Sequence, residues 1–144
     1  MKYLPGWTTK IDEISNGVFK VTLRDPYGRL AELTDIATEE TVVRAVGYAF
    51  DIEKQVSKNW NRFLYDLAQL LLPVSKITSK MHDDNTFGSW YIELKGENRA
   101  LYDGRDCLLI FQRLRGVEWI DQLVVKRDEL TYSNFANLIS KVGE

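Results

Sequence analysis

Glu93-Leu94-Lys95 carries the sharpest chemical suggestion in the chain. An acid and a lysine two residues apart lie on one side of a strand, where the acid can share a Mg²⁺ ion with a second carboxylate and the lysine can help activate water beside a phosphodiester. Asp83 or Asp84 would have to supply that second acid. His82, the only histidine, stands beside them in a polar stretch, so any imidazole-based metal ligation or proton relay has to use this one residue. Asp103, Asp106 and Asp121 form a further carboxylate set that could converge near a hairpin end together with Glu93, a requirement for an acid/base pair. The chain has no glycine-rich phosphate loop, paired-cysteine spacing or nucleophile elbow. No cofactor and no metal are expected.

Composition narrows the function classes further. The 144 residues suffice for one domain with a core of its own, and the formal charge of −2 is evenly spread. Residues 1–72 hold ten acids and nine bases, and residues 73–144 hold eleven and ten. Such a balance argues against nucleic-acid binding, which wants Lys and Arg gathered on one face. No apolar run approaches the roughly 20 residues that span a bilayer, and Pro5-Gly6 interrupts the N-terminus where a signal peptide would be apolar, so no membrane association and a cytoplasmic location are expected. The single cysteine, Cys107, excludes an internal disulfide and reads as a small buried hydrophobe at the head of Cys107-Leu108-Leu109-Ile110-Phe111.

These residues must be held by elements that the pattern predicts in order. Stretch 7–14 reads as a strand, Asn16-Gly17 as a hairpin turn and 18–24 as a half-buried strand with Phe19, Val21 and Leu23 on one face. Asp25-Pro26-Tyr27-Gly28 is a turn into a third strand, 29–34. Over 38–72, Val42, Val46, Ala49, Phe50, Trp60, Phe63, Leu64 and Leu67 recur by threes and fours, which predicts a long helix opened by Thr38 and closed by Pro73. A straight rod of that length would be roughly 50 Å long, so it is expected to be continuous or bent only near Gly47 or Ser57-Lys58-Asn59.

Stretch 74–88 is polar and its part 80–86 has neither period, the mark of a mobile loop. Strands follow at 90–94, 99–102, 107–114 and 118–125, the third apolar on both faces and therefore expected to be central and covered on both sides. Thr131 caps a last helix with Phe135, Leu138, Ile139 and Val142 as its stripe. The expected fold is α+β: a three-stranded antiparallel meander, a long central helix, a four-stranded antiparallel meander and a C-terminal helix. It is read as a single domain, 1–144, whose sub-lobes 1–37 and 74–144 are joined by helix 38–72.

Ile14-Ser15-Asn16-Gly17-Val18-Phe19-Lys20-Val21, Gly28-Arg29-Leu30-Ala31-Glu32, Trp90-Tyr91-Ile92-Glu93-Leu94 and Tyr102-Asp103-Gly104-Arg105-Asp106 resemble small bacterial immunity proteins of polymorphic toxin and contact-dependent inhibition systems. The resemblance implies a cytoplasmic protein that binds and blocks one cognate toxin, with a protein partner and no catalytic residues. The loop residues His82, Asp83 and Asp84, with Asp103 and Asp106 of the neighbouring hairpin, are the expected partner-binding set, an acidic patch suited to a basic surface. The alternatives are a metal-dependent nuclease or hydrolase using Glu93 and Lys95, and a structural or assembly module.

Overall fold

A computed structural model describes residues 3–56, 60–71, 77–81, 89–94 and 96–142. The fold is α+β, and the described residues form eight strands in two antiparallel sheets and three α-helices. It divides into two compact units, one of residues 1–58 with 131–133 and the other of residues 59–130 with 134–144.

In the first unit, β1 (Thr8–Ser15), β2 (Val18–Arg24) and β3 (Leu30–Asp35) form a sheet in the order β1-β2-β3. Asn16-Gly17 makes the first turn, with Gly17 at φ +76, a conformation that a Cβ would oppose. The sheet buries Val21, Leu23 and Ala31. Helix α1 (Thr38–Val56) supplies Val42, Ala45, Val46, Ala49 and Phe50 to this core, and runs through Gly47 without interruption. Thus the apolar spacing read from the sequence is the buried stripe, and Glu39 and Glu40 occupy the first turn, where the helix dipole favours acids.

Two carboxylates are buried in this unit and both are paired. Asp25, at the β2–β3 turn, accepts main-chain hydrogen bonds from Tyr27 (3.0 Å) and Arg29 (2.7 Å), and its second oxygen takes the Arg29 side chain. Arg29 reaches on to Glu53 of α1 at 3.3 Å, and Trp7 donates its indole N–H to the same oxygen at 2.8 Å. Burial would push the Asp25 carboxyl up, but the Arg29 guanidinium and the two backbone N–H groups hold it below its ordinary value of 3.8. The cluster ties the turn and the N-terminal segment to the helix.

In the second unit, β5 (Trp90–Leu94), β6 (Asn98–Asp103), β7 (Leu108–Arg115) and β8 (Glu118–Lys126) are the four expected strands. A fifth strand, β4 (Ile77–Met81), extends the sheet to the order β4-β5-β6-β7-β8, so residues 80 and 81 of the expected loop are sheet edge instead. Edge strands are kept short and polar to discourage further pairing, which is why Thr78, Ser79 and Lys80 carry no strand signature.

Helix α2 (Trp60–Leu71) buries Trp60, Phe63, Leu64, Tyr65, Leu67 and Ala68. Trp90 of β5 donates its indole N–H to the Asn61 carbonyl at 2.8 Å and meets Tyr65 edge-on at 5.5 Å, fixing α2 against the sheet. Residues 57–59 lie outside the described residues, so the long helical stretch is described as α1 and α2. Helix α3 (Tyr132–Val142) starts directly after Thr131; Phe135 and Ile139 are buried in the second unit, while Tyr132 belongs to the first, edge-on to Phe50 at 6.2 Å.

Candidate partner-binding surface

The sheet of the second unit alternates cleanly. Trp90, Ile92, Leu94, Ala100, Tyr102, Leu109 and Phe111 point inward and are buried. Their neighbours Tyr91, Glu93, Arg99, Leu101, Ile110 and Gln112 line the outer face, where β8 adds Trp119, Asp121 and Val124. The expectation that β7 is covered on both sides is corrected here. Leu109 and Phe111 are buried, but Leu108 and Ile110 on the outer face are only half-buried. Cys107 also falls outside the strand; it is half-buried in the β6–β7 turn at φ +55.

Strand pairing places two rows across the outer face. One is apolar: Tyr91 opposite Leu101, Leu101 opposite Ile110, and Ile110 opposite Val124. The other is polar: Glu93 opposite Arg99, Arg99 opposite Gln112, and Gln112 opposite Asp121. The last pairing depends on a bulge in β8, because Phe111 faces Leu123 while Gln112 faces Asp121 and Gln122 is left as the extra residue.

Arg99 is the centre of the polar row. Its guanidinium lies 4.3 Å from the centroid of the Trp119 ring and 5.6 Å from that of Tyr91. Its Nε donates to Gln112 Oε1 at 2.6 Å, and the Gln112 amide donates onward to Asp121 at 2.7 Å. Each ring contact contributes about 0.5–2 kcal/mol, more as water is excluded. Burial pulls the guanidinium below its ordinary pKa, opposed by the nearby Tyr91, Glu93 and Asp121. An arginine stays charged under such a pull, so the outcome is a fixed cation within a half-buried aromatic frame. Its Nη groups have no hydrogen-bond partner among the described residues, which leaves a donor edge for a carboxylate or carbonyl from outside.

The expected site residues are distributed differently. His82, Asp83, Asp84 and Lys95 lie outside the described residues. Asp103 ends β6 and accepts the Arg105 N–H at 2.9 Å, a local turn contact, while Asp106 is exposed in the same turn. Glu93 is exposed on β5, and Asp121 lies two strands across and four pairs along the sheet from Asp103, roughly 16 Å away. The four acids therefore form two separate pairs of places, Asp103 with Asp106 at the hairpin end and Glu93 with Asp121 flanking Arg99. Among the described residues no group of three or more His, Cys, Asp or Glu side chains could hold a metal ion. Nor, among those residues, is any helix long and apolar enough to cross a membrane.

Among the aromatic residues of this unit, Trp60, Trp90 and Phe111 are core, whereas Tyr91 and Trp119 frame Arg99. Sequence reasoning missed Arg99 and Gln112. The available signal was the alternation itself, which sets Tyr91 and Glu93, Arg99 and Leu101, and Trp119 and Asp121 on the face opposite the buried residues. No protein family matches the chain, and neither a curated protein nor a solved structure does.

Proposed function

We propose that the chain is a protein-binding module that docks through the outer face of β5–β8, and that it serves in the cytoplasm as an immunity protein neutralising a cognate bacterial toxin by direct binding. The observation that supports the binding reading is the Tyr91–Arg99–Trp119 frame braced by Gln112 and Asp121. Tyr, Trp and Arg are the residue types that dominate binding energy at protein interfaces, and a pre-positioned arginine loses less side-chain entropy when a partner arrives. The half-buried apolar row beside it supplies area that a partner could cover. The toxin-blocking role rests on the resemblance of the hairpin sequences to immunity proteins.

Affinity capture from the native cell tests both parts. The wild-type chain should retain a protein that arrests growth when expressed alone and is tolerated when the chain is co-expressed. Combining Arg99→Glu with Trp119→Ala should weaken that capture by about thirtyfold or more, the usual effect of losing a central anchor. Equal binding by the double variant would remove the sheet face from the interface. A captured protein harmless on its own would remove the toxin.

A further inference from the structure

Asn16 is followed by glycine, and no other asparagine in the chain is. Both residues are exposed in the β1–β2 turn, and the Asn16 carboxamide makes no hydrogen bond among the described residues. Gly17 presents its backbone nitrogen without a Cβ to shield it, and a Cβ built there would meet nothing within 4 Å. Something does meet the nitrogen itself. The Gly17 N–H donates to Glu13 Oε1 at 3.2 Å, within the reach required of a general base. The end of β1 is shaped for this contact: Glu13 pairs with Phe19 and Ser15 with Val18, so Ile14 is the extra residue of a bulge, a device that re-aims the side chains beside it.

We propose that Asn16 is a self-modifying site, where the Gly17 nitrogen attacks the neighbouring carboxamide with Glu13 as the base. Glu13 Oε1 takes the N–H proton as the Gly17 nitrogen bonds to Asn16 Cγ and closes a ring. The Glu13 carboxyl returns that proton to Nδ2, the Cγ–Nδ2 bond breaks, and ammonia leaves a succinimide. Water then opens the ring. Attack at Cγ gives aspartate on an unchanged main chain, and attack at the Asn16 main-chain carbonyl carbon gives isoaspartate, whose chain runs through Cβ and Cγ. A water is consumed for each ammonia released, and nothing is oxidised or reduced. Every other asparagine precedes a residue with a side chain, which crowds the same attack. Either product sets a new carboxylate in the turn that Glu13 already serves, and isoaspartate also adds a methylene to the main chain. The pairing of Ser15 with Val18, next to the turn, is the first that a lengthened turn displaces, because loop length fixes hairpin register. The site belongs to the first unit and does not depend on the toxin-binding reading, whose residues are in the second.

Peptide mapping by mass spectrometry, on the full chain held at neutral pH, should show Asn16 converting ahead of every other asparagine, to a mixture of aspartate and isoaspartate. Glu13→Gln keeps an acceptor for the Gly17 N–H but removes the base. It should slow conversion about tenfold or more, a modest share of what a positioned base supplies, because this carboxylate stands in water. Guanidinium chloride strong enough to unfold both chains abolishes the contact, so the wild-type rate should fall there to that of the variant. Equal rates for the two folded chains overturn the inference, as does a wild-type chain that converts faster unfolded than folded. Aspartate formed without isoaspartate overturns it as well, since direct hydrolysis of the amide gives aspartate alone. Should Glu13→Gln disturb the hairpin by circular dichroism, the folded and unfolded wild-type rates decide alone.

Discussion

Asp25 offers the most direct test of how the first unit is held. Its carboxylate is 5% exposed and accepts three hydrogen bonds, two from the main chain of its own turn and one from Arg29, which in turn reaches Glu53. Asp25→Ala strands the guanidinium beside Glu53 alone and frees both N–H groups. Hydrogen bonds to a charged group contribute about 1.5–3 kcal/mol each, and breaking a buried ion pair costs about 3–5 kcal/mol. These terms describe the same carboxylate and do not add, so the expected loss is about 3–5 kcal/mol. Asp25→Asn keeps one oxygen for the main chain but turns an amide donor toward Arg29, for an expected loss of about 1–3 kcal/mol.

Its pH dependence follows from the sign of the shift. A carboxyl held below 3.8 in the folded state binds its proton more readily when unfolded, so its contribution is complete above about pH 5 and drains away as pH falls through the folded-state value. The gap between wild type and Asp25→Asn should therefore close on acidification below about pH 4. Urea titration read by hydrogen exchange at β2, β3 and α1 follows this unit by itself, which a global signal from a two-unit chain would not. A loss under about 1 kcal/mol for Asp25→Ala, or parallel pH profiles for wild type and the Asn variant, would refute the account.

Trp60 and Phe63 are 4% and 7% exposed with rings stacked at 5.6 Å, so either alanine variant should lose about 3–5 kcal/mol of stability in the second unit by urea titration. Losses below about 1 kcal/mol at both would mean this face is not core. Purified chain with Mg²⁺ or Mn²⁺ should leave DNA and RNA intact in a gel assay, since Glu93 stands opposite a cation, Arg99, that competes with any metal for its charge. Cleavage abolished by both Glu93→Ala and Lys95→Ala would reverse that expectation. Charge reversal at Asp83, Asp84 and Asp106 should slow association with a captured basic partner in a salt-dependent way, measured by stopped flow, and unchanged rates at low salt would exclude the acidic hairpin end.

How far the sequence spoke depended on whether a feature was local. Asn16-Gly17 and Asp25-Pro26-Tyr27-Gly28 specify their turns within four residues, and both are where expected, the second closed by the Gly28 N–H to the Asp25 carbonyl at 3.2 Å. The helical stripes of α1 and α2 were legible because a core face repeats every three to four residues. β4 was not, because a polar edge strand is identified by the neighbour it pairs with. Leu108 and Ile110 were over-read: apolarity on both faces of a strand signals burial, yet it serves equally for a surface that a partner would cover. Arg99 was invisible for a related reason. Alone it reads as a solvated charge, and its setting is made by Gln112 and Asp121, thirteen and twenty-two positions later, brought opposite through a bulge that no local signal marks.

Between the hairpin-end acids and the outer sheet face, order decides which is the stronger anchor. Asp106 is an exposed turn residue and Asp103 spends one oxygen on its own turn, so a partner engaging them would have to fix side chains that water already satisfies. Arg99 is fixed beforehand by two rings and a glutamine, on a sheet whose registers are set by four strand pairings. The same paired backbone holds the apolar row of Leu101, Ile110 and Val124 beside it. Charges at a rim change how fast a partner arrives, while a braced arginine between aromatics governs how slowly it leaves. Arg99 and Trp119 substitutions should therefore act on the dissociation rate with little salt dependence, and Asp106 substitutions on the association rate with a strong one, so that kinetics at two ionic strengths separates the surfaces even if both touch the partner.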